Sequence, residues 1–115
     1  MIYFNTDYMA GAHPKVMERL VQTNAEQTVG YGSDDYTARA KGLVKQACGA
    51  PDARVYFLVG GTQTNSTVID GVLAHHEGVL AADSGHINVH ESGAIEATGH
   101  KVLTLPHHDG KLSAE

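Results

Sequence analysis

Apolar positions along this chain alternate between a helical spacing and short unbroken runs. Val16, Met17, Leu20 and Val21 follow Pro14 at intervals that put them on one face of a helix, with the proline in its first turn. Gln27 to Ser33 contains Gly30-Tyr31-Gly32 and reads as a loop. Tyr36, Ala40, Leu43, Val44 and Ala47 form a second helical stripe, capped by Asp34 or Asp35 and ended by Gly49 and Pro51. Arg54-Val55-Tyr56-Phe57-Leu58-Val59 is a continuous run of the kind found in buried strands. Val68, Ile69, Val72 and Leu73 then mark a helix from about Thr62 to His76. A short strand over 79–82, a helix from Asn88 to Thr98 stopped by Gly99, and a strand over 101–105 complete the pattern, before a turn from Pro106 to Gly110.

Strands separated by helix-length segments predict βαβ units and an α/β fold of three αβα layers. The runs at 54–59, 79–82 and 101–105 are expected in one sheet. Lys111 to Glu115 reads as a helix that has just begun, with Ser113 as N-cap and Glu115 in the first turn. Residues 1–115 therefore read as the N-terminal, incomplete part of a longer protein or as a truncated product. A complete small domain with a frayed tail is the alternative. An incomplete βαβ set leaves edges and helix faces uncovered, so the isolated chain is not expected to be a stable monomer.

Composition narrows the class. At 115 residues there is room for one small domain or a piece of a larger one, and 42% apolar content is enough for a core. The net charge of −5 weighs against nucleic acid and anionic membranes as partners. No apolar run is long enough to cross a bilayer, and Met1-Ile2-Tyr3-Phe4-Asn5 lacks the basic and apolar regions of a signal peptide. A cytoplasmic location is expected. Cys48 is the single cysteine, so no disulfide framework exists within the chain. It reads as a small hydrophobe buried on a helix face.

The candidate chemistry begins at Gly60-Gly61-Thr62-Gln63-Thr64-Asn65. A glycine turn between strand and helix exposes N–H groups at the positive end of a helix dipole, which favours an anion such as phosphate. Thr62 adds a hydroxyl that can cap the helix or bond a phosphate oxygen. The turn matches neither the dinucleotide nor the Walker pattern, and a turn that only caps a helix is the plainer reading. Eight histidines invite a metal, but there is no HExxH and no CxxC, so none is expected. His75 and His76 near a helix end, and His107 and His108 in a turn, read as solvated. His86 differs because it follows Ala81-Ala82-Asp83-Ser84-Gly85, just past a short strand. Ligand crevices of open α/β sheets lie at the carboxyl ends of strands. A phosphate cradle and a flat imidazole at one such edge point to a phosphorylated aromatic cofactor.

Four segments in order resemble the N-terminal part of the threonine aldolase family, among the β-eliminating lyases of the fold-type I pyridoxal-phosphate enzymes. Phe4-Asn5-Thr6-Asp7, with Pro14 after it, is similar to the family's Arg-Ser-Asp-Thr opening. Gly30-Tyr31-Gly32-Ser33-Asp34 resembles its Val-Tyr-Gly-Glu-Asp loop. Gly60 to Asn65 resembles its Ser-Gly-Thr-x-Ala-Asn phosphate turn. His86-Ile87-Asn88-Val89-His90-Glu91-Ser92-Gly93-Ala94 resembles its His-x-x-x-x-Glu-x-Gly-Gly segment. The match runs through nearly the whole chain, and the last two motifs are the most specific.

The resemblance implies that the chain is part of a fold-type I large domain. It implies that Gly60, Gly61 and Thr62 hold pyridoxal 5'-phosphate, and that His86 stacks on its ring as the candidate catalytic residue. Gly60 stands where the family often has serine, so one hydroxyl is missing. Thr6 keeps the hydroxyl that helps position a substrate carboxylate, while Asn5 replaces the usual arginine. Tyr31 either reaches an active site, across a dimer interface, or packs in its loop. Glu91 is either a partner of the cofactor region or an acidic residue early in a helix. The family's Schiff-base lysine and its pyridine-pairing aspartate lie beyond the matched segments, and none of Lys15, Lys41, Lys45, Lys101 or Lys111 sits in a matching motif. The implied activity is aldol cleavage of a small β-hydroxy-α-amino acid by a longer homo-oligomeric parent, a dimer or tetramer, with the 115-residue piece inactive. Another β-eliminating lyase, or a non-catalytic phosphate-ligand module, are the competing readings.

Overall fold

The computed structural model describes residues 5–6 and 8–114. It divides into two compact units, one running through Val55 and one starting at Tyr56.

The first unit carries two helices, α1 (Pro14–Thr23) and α2 (Asp35–Ala47). Pro14 occupies the first turn of α1, where its missing N–H costs nothing, and His13 caps it by accepting from the Lys15 N–H at 3.2 Å. Of the two aspartates before α2, Asp34 is the cap: Oδ1 accepts the Thr37 N–H at 2.8 Å and Oδ2 accepts the Thr37 hydroxyl at 2.7 Å. The helix ends as the sequence predicts. Gly49 turns left-handed at φ +61°, and the Ala50 N–H reaches back to the Lys45 carbonyl at 3.0 Å. Neither helix buries a residue, and Cys48 is exposed, which corrects its reading as a buried hydrophobe. An apolar stripe buries only against a second apolar layer, and within this unit none closes over it.

The Thr37 N–H and hydroxyl hold the Asp34 carboxyl below its ordinary value. A group depressed by folding contributes stability above its unfolded value and loses it as pH falls through the folded value. The helicity of α2 is therefore expected to decline on acidification below the usual carboxylate range. Asp34→Asn is expected to cap at every pH and to abolish that step, as circular dichroism would show.

The second unit runs α3 (Gly61–Val72), β1 (Gly78–Ala82), α4 (His86–Val89), a 3₁₀ turn (Glu96–Thr98) and β2 (Lys101–Leu105). The strands pair in parallel, from Gly78 beside Lys101 to Ala82 beside Leu105. Parallel pairing needs a crossover, which α4 and the 3₁₀ turn supply. Gly78 is required where the strands first meet, since a Cβ there would sit 2.7 Å from the Lys101 carbonyl oxygen. Ala81, Ile95 and Val102 form the buried core, with Ile69 of α3, Val79 of β1 and Ile87 of α4 packed against it. His100 is buried: Nδ1 lies 3.2 Å from the Glu77 carbonyl and Nε2 lies 3.3 Å from Asp70 Oδ1. It ties the start of β2 to α3 and to the approach to β1.

Four elements depart from the sequence pattern. Residues 54–59 form no strand, and Tyr56, Phe57, Leu58 and Val59 are exposed. A strand exists only through its ladder, and this run has no partner among the described residues. The helix expected over 88–98 is broken: α4 ends at Val89, and Ser92 and Gly93 at φ +51° and +77° turn the chain. α3 stops at Val72 because Leu73 is extended and the Ala74 N–H is taken by Glu77 Oε2 at 2.7 Å. This places His75 and His76 in a turn beyond the helix. No helix begins over 112–114, where Lys111 instead bridges to His108, and Glu115 lies outside the described residues. Among the described residues, no helix is long and apolar enough to cross a membrane.

Candidate anion and imidazole site

The N-terminus of α3 is built as an open set of donors. Gly60 is the N-cap and offers no side-chain cap. The N–H groups of Gly61, Thr62 and Gln63 precede the first intrahelical bond, which runs from the Thr64 N–H to the Gly60 carbonyl at 3.0 Å. Thr64 spends its hydroxyl on that same carbonyl at 2.9 Å. Ser66 spends its hydroxyl on the Thr62 carbonyl at 2.6 Å. Gln63 turns back, its Oε1 accepting the Val59 N–H at 3.0 Å and fixing the entry to the helix. The Thr62 hydroxyl makes no such local bond among the described residues, so it stays free to face a ligand. A Cβ added at Gly60 or Gly61 would meet nothing within 4 Å. The space over the turn is open, and the donors there suit a phosphate dianion.

Gly60 itself has φ −177°, an extended backbone open to any residue. Its glycine is not needed for conformation, and what it lacks relative to serine is the hydroxyl.

The imidazole is placed from the other side of the unit. β1 ends at Ala82, and Asp83 continues its pairing by donating N–H to the Leu105 carbonyl at 2.9 Å. The chain turns at Gly85, where a Cβ would lie 2.9 Å from the Ala82 carbonyl oxygen, so only glycine fits. His86 then opens α4 just beyond the carboxyl end of β1. Its side chain is 64% exposed, and its ring lies 5.3 Å from that of His90 at a tilt of 50°. The flat ring is thus available for stacking.

One buried carboxylate joins the two motifs. Glu91 Oε1 accepts from His86 Nδ1 at 2.8 Å and from Asn65 Nδ2 at 2.6 Å. Asn65 is the last residue of the glycine-turn motif, one turn into α3. The glycine turn and His86 therefore meet through side chains and not through a common sheet, since 54–59 joins no ladder among the described residues. Asn65 and Glu91 were weakly marked in the sequence. Their signal was an amide and a carboxylate inside two motifs whose order and spacing agree.

The remaining expected residues lie in the first unit. Thr6 has its hydroxyl oxygen buried without a hydrogen-bond partner among the described residues. Tyr31 is fully exposed, and its φ of +60° is unusual for a non-glycine residue. Phe4 and Asp7 of the opening motif fall outside the described residues. Next to the Gly30–Asp34 loop, Tyr36 donates its hydroxyl to Glu26 Oε2 at 2.6 Å, which raises the phenol above its ordinary value. Among the described residues, no three His, Cys, Asp or Glu side chains converge as a metal ion would need.

The model of the family described as beta-eliminating lyase matches residues 4–115. The low specificity L-threonine aldolase of Pseudomonas aeruginosa is 29% identical over 112 residues, covering 96% of this chain and 32% of that protein. The protein of the same description from a Pseudomonas species is also 29% identical over 112 residues. A solved structure described as a Leishmania major threonine aldolase superposes with a TM-score of 0.88 at 48% identity, covering 92% of this chain and 31% of that one. The chain spans about a third of the length of these relatives.

Proposed function

The chain belongs to the beta-eliminating lyase family, and from that premise we propose that the whole protein carrying it cleaves a β-hydroxy-α-amino acid, L-threonine or L-allo-threonine, to glycine and acetaldehyde with pyridoxal 5'-phosphate. The observation that carries the proposal is the Asn65–Glu91–His86 network, which holds a flat imidazole to the helix whose N-terminus presents free donors. In aldol cleavage the Cα–Cβ bond breaks, its electron pair stays with Cα, and the β-hydroxyl gives up its proton as the carbonyl forms. The cofactor, when bound, supplies the sink that takes up that electron pair.

The residues present fit such a group. The N–H groups of Gly61 and Thr62 and the Thr62 hydroxyl would donate to its phosphate, and charge-assisted bonds of this kind are worth roughly 1.5–3 kcal/mol each. His86 would lie against the pyridine ring, keep it flat and exclude water from one face. Thr6 and Tyr31 are proposed to touch the amino-acid substrate. The protein is proposed to act as a dimer or tetramer in the cytoplasm.

Thr62→Val keeps the shape of the first turn and removes the hydroxyl. Titration of the whole protein with pyridoxal phosphate is expected to show affinity about tenfold weaker with an unchanged melting temperature. Acetaldehyde release from threonine tests the reaction itself. Tight cofactor binding with no acetaldehyde would transfer the reading to another β-eliminating reaction. No binding would leave only a phosphate-ligand module.

A further inference from the structure

We propose that Glu91 is a positioning residue that fixes the ring orientation and the tautomer of His86, with Asn65 holding Glu91 in turn. The proposal rests on the reading of His86 as the ring that lies against the cofactor. Glu91 is 4% exposed and its side chain is fully enclosed, whereas the His86 side chain is 64% exposed. A buried carboxylate is costly unless donors meet it. Its two donors converge on Oε1, at 2.8 Å from His86 Nδ1 and 2.6 Å from Asn65 Nδ2, and Oε2 is buried with no partner among the described residues. The carboxylate is thus held with one oxygen committed to the imidazole, at the expense of the other.

The chain is shaped to put it there. α4 lasts only from His86 to Val89, so the chain leaves helical geometry before Glu91. Ser92 and Gly93 then turn left-handed, and the Glu91 carbonyl accepts the Ala94 N–H at 3.0 Å. A helix continuing through residue 98 would not have turned Glu91 inward in this way.

The chemical consequence concerns the proton on the ring. A carboxylate oxygen only accepts, so the nitrogen 2.8 Å from it must donate. The neutral ring is thereby held as the Nδ1–H form, and Nε2 carries the lone pair. Rotation of the ring about Cβ–Cγ would break the bond, so the plane is fixed as well. Asn65 transmits the same constraint to α3: a shift of the phosphate-binding turn would pull on the oxygen that orients the imidazole.

The experiment is nitrogen NMR of the ligand-free whole protein with labelled histidine, comparing wild type, Glu91→Leu and Asn65→Ala. Wild type is expected to show His86 as the Nδ1–H tautomer. Glu91→Leu, which removes the acceptor that glutamine would retain, is expected to shift it toward the Nε2–H form that free imidazole favours, and to weaken pyridoxal phosphate binding about tenfold. Asn65→Ala, which leaves the carboxylate in place, is expected to keep the Nδ1–H form. An Nε2–H tautomer in wild type overturns the proposal without need of any variant, as does an unchanged tautomer in folded Glu91→Leu. The expected tautomers together with cofactor affinity unchanged in both Glu91→Leu and His86→Ala would support the positioning role while removing the cofactor reading.

Discussion

Ile95→Ala is expected to lower the stability of the Tyr56–Glu115 unit by about 2–5 kcal/mol, the range for truncating a fully buried aliphatic side chain. Ile95 is 0% exposed, and it is the only large side chain among the described residues enclosed to that degree. It packs with Ala81 of β1 and Val102 of β2, so it stands between the crossover and both strands. Neither of those two partners is large enough to swell into the space that truncation leaves. A loss of that size is comparable to the whole stability of a small unit. Chemical denaturation followed by circular dichroism should show the midpoint collapse or the cooperative step vanish. Ile95→Val, which removes one methylene, should cost only about 0.5–1.5 kcal/mol. Equal effects from the two substitutions, or a loss below about 1 kcal/mol for alanine, would mean the core is not centred on Ile95.

What was legible in the sequence is what is decided locally. The caps and terminators at Pro14, Asp34 and Gly49 and the glycine turn at 60–65 appear where the residues predict them, because a cap needs only a side chain and the N–H two or three positions away, whereas the N-cap expected at Ser113 opens no helix. The runs at 79–82 and 101–105 also become strands, since each finds the other. The run at 54–59 has the same apolar character but no ladder, and strand identity depends on a partner that composition cannot supply.

The histidines show the same division. His86 was marked by its place after a strand. His100 was not, because its burial depends on Asp70 and on the Glu77 carbonyl, which lie far from it in sequence. Glu91 sits in a motif, yet its inward turn depends on the break at Ser92 and Gly93. A period-3.6 reading passes over that break, since serine does not announce a positive φ. The candidate site was therefore visible as two motifs, while the carboxylate that connects them became visible only in three dimensions.

His86→Ala is expected to affect function far more than folding. The ring is largely exposed and contacts His90 at a tilt, so little core packing is lost. The main structural cost is one donor removed from Glu91 Oε1, which keeps its bond from Asn65. A lost hydrogen bond of this kind costs about 1–3 kcal/mol, and the opening left by the ring lets water replace part of it. Ring-on-ring contact is worth roughly 0.5–1.5 kcal/mol, so pyridoxal phosphate should bind about three- to tenfold more weakly to the whole protein. Turnover should fall further, on the order of a hundredfold, because a ring free to shift by about 1 Å misaligns the reacting bond. His86→Phe separates the two contributions: it restores a flat face but offers no donor to Glu91. It is expected to recover most of the binding and little of the turnover. Cofactor titration and threonine-dependent acetaldehyde release, measured beside melting curves, give the three readings needed. Unchanged turnover in His86→Ala, with the protein folded, would remove His86 from the site whatever the fold.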